Sequence, residues 1–378
     1  MHPFGLSLAK LLTTDVLKSC LRWLLCLCPL LANGQADTLI QRGRLFSVTP
    51  LLGLSAPDQV VPATGKVPLG AEFTYSWSTT SRRAWEQGHS FANVGIYANY
   101  IAFRNPAVLG RTGGAGLYFE PLIAPAHRVY YAVRLSAGLT YLTRVYDPVT
   151  NPTNQYVSLP VSSEIGAAFS VFYRLTDRVQ LTARGVYNHI SNAGTRQPNQ
   201  GINIPTVGLG VAYAPRPLRY PDTRTWRTPA PAHRWMARAL LLGSVRVLPQ
   251  TTTTPEMALP MLGLNLVGGY RLSNSHVLSG GIEVTDDRYF KEQIKRWGYT
   301  DQRYVQGSIL GGYEFWLGRY AFTAHMAWNV VRPQPYKPAS YQKYGLLYRT
   351  DRGLTLGFHV KAYGESTKGF QAAAGWTF

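Results

Sequence analysis

Along most of the chain apolar residues recur at every second position, the spacing that puts alternate side chains on one face of a β-strand. Val67, Leu69, Ala71, Phe73, Tyr75 and Trp77 form one such set, interleaved with Pro68, Gly70, Glu72, Thr74 and Ser76. In Val129, Tyr131, Val133, Leu135, Ala137, Leu139 and Tyr141 the opposite face carries Arg134, Ser136 and Thr140. The alternation runs to the last residues, through Phe370, Ala372, Ala374, Trp376 and Phe378. An apolar face backed by a polar one predicts a sheet whose apolar side meets lipid and whose polar side lines an interior. After the N-terminal segment no run of about 18 apolar residues occurs, which excludes helical membrane spans.

The connections between these segments alternate in length. Short turns fall near Thr350–Gly353, Leu317–Tyr320, Leu272–Ser275 and Leu175–Asp177, and longer polar loops near Arg332–Gln342, Asp286–Asp301 and Asp147–Gln155. Short turns at one membrane face and long loops at the other are the habit of an outer-membrane barrel. The expectation is therefore an all-β fold: a transmembrane, antiparallel, up-and-down β-barrel of about 12–16 strands, occupying residues 37–378. Two long connections, Thr79–Ser90 and Pro215–Pro231, break the rule. An alternative is a smaller N-terminal barrel with a second unit after Pro215, in which the C-terminal strand would have to close a separate sheet. No internal repeat is evident.

Composition sharpens this picture. A basic stretch ending at Arg22 leads into the apolar run Trp23–Leu31 and then small residues, so residues 1–36 read as a secretory signal peptide with cleavage after Gly34 or Ala36. A lipoprotein reading of Cys20, Cys26 or Cys28 fits less well, because Lys18 stands close before the first and the others lie inside the apolar run. All three cysteines fall in the segment removed, so the exported chain has no thiolate for a disulfide or a metal. Charged residues are 15% of the chain against 12% aromatic, a balance that suits a wall bathed in lipid better than a soluble surface. The net charge is +19, and +17 once Lys10, Asp15, Lys18 and Arg22 are gone. A polyanionic partner follows, and for an exported barrel that partner is the phosphate-rich lipopolysaccharide of the outer leaflet rather than nucleic acid.

The candidate chemistry lies in Tyr187-Asn188-His189-Ile190-Ser191-Asn192-Ala193-Gly194. Val179, Leu181, Ala183, Gly185 and Tyr187 share one face, and His189 and Ser191 continue it outward; Arg178, Gln180, Thr182 and Arg184 take the inward face. After a loop the chain returns through Asn203, Pro205, Val207, Leu209, Val211 and Tyr213, which places Asn203 on the same outward side. Three polar groups on an otherwise apolar wall call for one another, since a polar group in an apolar medium is costly without a partner. Asn203 is expected to orient His189, and His189 to activate Ser191 as a nucleophile. A girdle of polar residues bonded to lipid headgroups is the plainer reading of the same residues.

These residues resemble the lipid A 3-O-deacylase (PagL) family, whose members are also called acyloxyacyl hydrolases. The resemblance is carried by His189-Ile190-Ser191-Asn192 and by Pro198-Asn199-Gln200-Gly201-Ile202-Asn203, is tight over about 15 residues, and extends loosely over the exported chain. It implies an outer-membrane barrel that removes an ester-linked acyl chain from lipid A, with His189 as base, Ser191 as nucleophile, Asn203 in the place of an acidic third member, and Asn192 and Asn199 at the oxyanion. The chain departs from the pattern in that amide and in being much longer than the eight-stranded members. His-x-Ser-Asn with an asparagine fourteen residues past the histidine also resembles outer-membrane phospholipase A, which uses calcium; the arginine expected five positions after the histidine is replaced by Gly194. No cofactor is expected under the deacylase reading, and calcium only under the phospholipase one. A third reading is a non-catalytic barrel or pore whose site has decayed.

Other charged groups have simpler explanations. Arg196, beside the site, is a candidate for a lipid A phosphate, and Arg104, Arg111 and Arg144 sit near outer strand ends where girdle charges are common. His325 and His359 fall on inward faces, where a wet lumen accounts for them. Glu283, Asp286 and Asp287 have no metal-ligand spacing, so no metal is expected.

Overall fold

Sixteen antiparallel strands make up the described part of the chain, and they close into two barrels of eight rather than one barrel of sixteen. In this computed structural model residues 42–378 are described, apart from 55–66, 89, 227–229, 252–253, 301–302, 334–337 and 364–365. The expected signal peptide, with the three cysteines, lies outside the described residues. The first barrel comprises β1 (Arg42–Gly53), β2 (Leu69–Thr79), β3 (Ala92–Ala102), β4 (Arg111–Ile123), β5 (Val129–Leu142), β6 (Val161–Arg174), β7 (Val179–Ser191) and β8 (Ile202–Tyr213). The second comprises β9 (Trp235–Leu248), β10 (Met257–Arg271), β11 (His276–Asp287), β12 (Val305–Leu317), β13 (Tyr320–Val331), β14 (Ser340–Arg349), β15 (Leu354–Tyr363) and β16 (Ser366–Thr377).

The seams decide the topology. β8 returns to pair with β1, Val211 opposite Val48 and Val207 opposite Leu52. β16 pairs with β9, Ala374 opposite Leu241. The expectation of a single closed sheet over 37–378 is thereby corrected, and the division after Pro215 is the observed arrangement. The physical reason lies inside. An eight-stranded barrel is just wide enough for its inward side chains to fill it, and here inward charges meet across the lumen. Arg134 on β5 forks onto Glu72 on β2 at 2.7 and 2.5 Å, and Arg184 on β7 reaches the same carboxylate at 2.7 Å. In the second barrel Arg238 on β9 forks onto Glu314 on β12 at 2.9 and 2.7 Å, and Glu283 on β11 is held by Lys343 and Lys361. These pairs are almost fully buried, where a carboxylate without its cation is strongly disfavoured.

Turn chemistry ends the strands. Between β6 and β7 the Thr176 hydroxyl accepts from the N–H groups of Arg178 and Val179, and between β10 and β11 Ser273 does the same for Ser275 and His276. Gly353, at φ +87°, closes the turn from β14 to β15. The irregular Thr79–Ser90 connection contains a short helix, α1 (Arg82–Gly88). Trp85 from it packs with Trp226, Tyr220 and Leu218 of the inter-barrel link onto Phe91, Leu122, Tyr130 and Phe172, forming an apolar stopper at the end of the first barrel away from the loop after β7. At the opposite end Ile101, Phe103, Leu109, Leu142, Val157, Ile190, Ile202 and Ile204 form a second apolar layer beneath the loops. The first barrel is a filled cylinder between two apolar stoppers. A second helix, α2 (Arg288–Arg296), follows β11, with Asp287 as its N-cap accepting from Tyr289 N–H.

Candidate active site

The outward wall of β6, β7 and β8 is apolar for most of its height and turns polar at the loop end. Burial alternates along β7 with Gln180, Thr182, Arg184, Val186, Asn188 and Ile190 inward, so His189 and Ser191 face outward. On β8 Ile202 and Ile204 are fully buried and Asn203 between them faces outward. The parity read from the sequence therefore holds for all three residues.

Strand register brings them together. His189 stands directly opposite Asn203, and the imidazole Nδ1 lies 2.6 Å from the Asn203 carboxamide Oδ1. A carboxamide oxygen only accepts, so Nδ1 is the donor in this contact, and in the neutral ring Nε2 is the nitrogen with the free lone pair. Ser191 is engaged elsewhere. Asn199 donates Nδ2–H to Ser191 Oγ at 2.9 Å, and the Ala193 N–H donates to the same oxygen at 3.1 Å. The Asn199 amide is itself fixed, its Oδ1 accepting from Asn192 N–H at 3.1 Å. Two donors thus converge on the hydroxyl oxygen and fix its position at the mouth of the loop. Same-face neighbours on a strand are about 6.6 Å apart, and the hydrogen bonds of Ser191 run to the loop rather than to the imidazole.

Asn192 is placed differently from the oxyanion role its motif implies. Its side chain faces inward, nearly fully buried, donating to Ser158 Oγ at 3.0 Å and to the Arg196 carbonyl at 2.7 Å while accepting from Gly194 N–H. It laces the β7–β8 loop to the β5–β6 loop. Gln200 and Gly201 N–H groups donate to the Gln155 and Tyr156 carbonyls, and Ser158 Oγ donates to the Arg196 carbonyl, so the loop carrying Asn199 is tied along its length. Burial raises the Tyr156 phenol above its ordinary range, keeping that support neutral. The Arg196 side chain is exposed beside the site, and Arg104, Arg111 and Arg144 are exposed at the same end of the barrel. Glu283 and Asp287 are ion-paired to lysines and to Arg246, and no group of three His, Cys, Asp or Glu suited to a metal occurs among the described residues.

Two residues complete the site that sequence reasoning passed over. Gly201 has φ +77°, and a Cβ there would stand 2.6 Å from His189 Cε1 and 3.2 Å from Nε2. Its place between loop and strand was the available signal. Ser163 on β6 lies opposite Ser191 and donates to its carbonyl at 2.6 Å; a serine on an outward face between Val161 and Ile165 is visible by parity alone.

Below the polar cluster the wall is hollowed into an apolar groove of about 320 Å³, lined by Leu54, Ala167, Phe169, Gly185, Tyr187, Pro205 and Val207 among others. Residues 67–212 match the profile of the lipid A 3-O-deacylase (PagL) family, and residues 236–378 match that of the acyloxyacyl hydrolase C-terminal domain. The chain belongs to the PagL family. The two matches coincide with the two barrels, so the second barrel is a family feature and not an unrelated appendage. No protein of curated function matches the chain. Among solved structures, a mutant of the TodX monoaromatic hydrocarbon channel is 10% identical, with 89% of this chain and 88% of that one covered at a TM-score of 0.17. A mutant porin of Rh. blastica is 7% identical, with coverage of 89% and 99% at a TM-score of 0.16. Overlap that loose carries no argument, and the fold rests on the strand pairing itself.

Proposed function

We propose that this PagL-family protein is an outer-membrane serine esterase that removes an ester-linked acyl chain from lipid A. The observation that carries the reading is the position of the polar cluster: it lies on the outward apolar wall, at the head of a shallow apolar groove along which an acyl chain can lie. A nucleophile facing a barrel's lumen would never meet a lipid ester; one facing lipid near the outer surface meets the acyl esters resident there. Ser191 attacks the ester carbonyl carbon as His189 Nε2 takes the hydroxyl proton, with Asn203 holding the imidazole from behind. In the resting site Asn199 Nδ2–H and the Ala193 N–H donate to Ser191 Oγ; once that hydroxyl turns toward the ester, both donors are free to stabilise the tetrahedral oxyanion. For proton transfer the Ser191 side chain rotates from its loop partners toward the imidazole. The intermediate collapses by expelling the sugar oxygen, which takes the proton from His189. Water, activated by the same imidazole, then releases the fatty acid from Ser191. Arg196, with Arg104, Arg111 and Arg144 farther along the rim, supplies positive charge for the phosphates of the substrate.

The test is the lipid A of a Gram-negative host expressing the protein, weighed by mass spectrometry. Species lacking one hydroxyacyl chain are expected, and Ser191→Ala and His189→Ala should each abolish them while the barrel stays folded. Lysophospholipid in the same extracts, with lipid A intact, moves the assignment to the phospholipase arrangement that the amide of Asn203 also fits. No change in either lipid leaves a non-catalytic barrel.

A further inference from the structure

The second barrel holds a cavity that the esterase reading does not use. It lies inside the barrel at the end carrying α2, has a volume of about 280 Å³, and is lined by Ser244, Arg246, Gln306, Tyr363, Gln371 and the α2 residues Tyr289 and Phe290, among others. Its charged groups are already matched. Arg246 pairs with Asp287 at 2.5 Å and lies against the rings of Tyr289 and Phe290, at 3.8 and 4.9 Å from their centroids. Lys361 pairs with Glu283 at 3.2 Å and donates to Gln306 Oε1 at 3.1 Å, while Gln306 donates in turn to Asn329. One polar group is left over: Gln371 is 2% exposed, and its Oε1 has no hydrogen-bond partner. A buried carbonyl of that kind normally accepts from an ordered water or from the hydroxyl or N–H of a bound molecule.

The chemistry of the occupant follows from what each class would meet. An anion would face Asp287 and a cation Arg246, each already compensated, so neither gains a net attraction. An apolar ligand would leave Gln371 Oε1 unsatisfied and desolvate the lysine and arginine besides. A hydroxyl both donates and accepts, which a carboxamide matches with its oxygen and its N–H together. Tyr289, Phe290 and Tyr363 add apolar ring surface to the lining, against which the C–H side of a polyol can pack. We propose that this cavity is a binding site for a neutral sugar ring, with Gln371 as its principal hydrogen-bonding anchor. The proposal stands independently of the esterase reading.

Gly369 provides the decisive variant. It lines the cavity opposite Lys361 on β15, its φ is not in the left-handed region, and a Cβ there meets nothing within 4 Å. Gly369→Phe therefore fills the cavity with a ring without displacing backbone. The full-length protein is purified in a detergent without a sugar headgroup, and glucose, galactose and N-acetylglucosamine are each titrated by saturation-transfer difference NMR. Saturable transfer to at least one of them is expected, with a dissociation constant on the order of 1 mM for a ring held by few hydrogen bonds. Gly369→Phe should abolish it, and the near-isosteric Gln371→Leu should weaken it at least about tenfold. Unchanged heat-modifiable migration on gels shows that either variant is folded, and Gln371→Leu keeps the test open should Gly369→Phe misfold. Transfer to none of the three sugars, or transfer that survives both substitutions, overturns the proposal. Displacement of the bound sugar by inorganic phosphate at equal concentration also overturns it, by showing an anion site.

Discussion

The carboxamide oxygen of Asn203 sits 2.6 Å from Nδ1 of His189, across a strand pair that places the two residues directly opposite each other. The contact occupies Nδ1 and leaves the Nε2 edge of the ring beside Gly201. An amide achieves the orientation of a carboxylate but not its charge. In the proposed mechanism, the imidazolium formed as Ser191 loses its proton would therefore be stabilised by a dipole alone.

Replacing Asn203 by Glu should retain or raise lipid A hydrolysis, because a carboxylate at the same distance adds an attractive charge to the imidazolium. Asn203→Ala removes the orientation as well and should lower turnover by about 10- to 100-fold, less than the full loss of general-base catalysis, which is worth about 10²–10⁴-fold. Quantifying 3-hydroxy fatty acid released from purified lipopolysaccharide checks both. Loss of activity in Asn203→Glu as complete as in Asn203→Ala would exclude the deacylase-like arrangement.

Gly201 and Gly194 both occupy left-handed backbone, at φ +77° and +76°, yet only Gly201 faces the imidazole. Gly194→Ala should cost about 1 kcal/mol of stability and little activity, since its Cβ enters open space. Gly201→Ala bears the same backbone cost and also pushes on His189, so its kcat should fall by about 10-fold or more, as for any small misplacement of a reacting group. Equal kcat values for the two variants would mean that Gly201 serves the loop alone.

Much of this site was legible from parity. Strand period places His189, Ser191 and Asn203 outward, and the register of a hairpin then makes His189 and Asn203 neighbours. The closure of the sheet was not legible. Alternation reports which face a residue occupies and is silent on which strand its own strand joins, so the pairing of β8 with β1 left no mark in the local pattern. The visible trace was Pro215–Pro231, a link that a single barrel does not need. Loop residues were readable only by resemblance, and there side-chain direction went astray. Asn192 follows Ser191 by one residue and so faces inward, to Ser158, whereas Asn199 reaches the serine from the far side of the loop through contacts no strand rule describes.

The buried network of the first barrel predicts a large stability effect remote from the site. Glu72→Ala strands two guanidiniums, Arg134 and Arg184, inside a filled lumen, leaving Arg184 with the Ser170 hydroxyl at 2.9 Å and the Glu120 carboxylate at 3.4 Å. Removal of one member of a buried ion pair costs about 3–5 kcal/mol. Urea unfolding in detergent or lipid, followed by tryptophan fluorescence, should show the extrapolated unfolding free energy falling by that amount. A shift under 1 kcal/mol would mean that water enters the lumen and screens the charges.

The groove offers the most direct test of substrate orientation. Gly185 lies on its floor, two residues below Tyr187, and a Cβ built there has no neighbour within 4 Å. Gly185→Leu therefore obstructs the groove without straining the barrel. Lipid tails are as apolar as the groove, so burial there adds no hydrophobic driving force for an acyl chain; the groove acts by holding the ester in register with Ser191. An obstructed chain shifts its carbonyl, and a displacement of about 1 Å is worth as much as 10²-fold in rate. Release of long acyl chains from lipid A should accordingly fall by about 10- to 100-fold, while a short-chain chromogenic ester, which reaches Ser191 without entering the groove, should be hydrolysed as by the parent protein. If both substrates lose activity together, the substitution has disturbed the catalytic residues; if neither does, the acyl chain lies elsewhere on the wall.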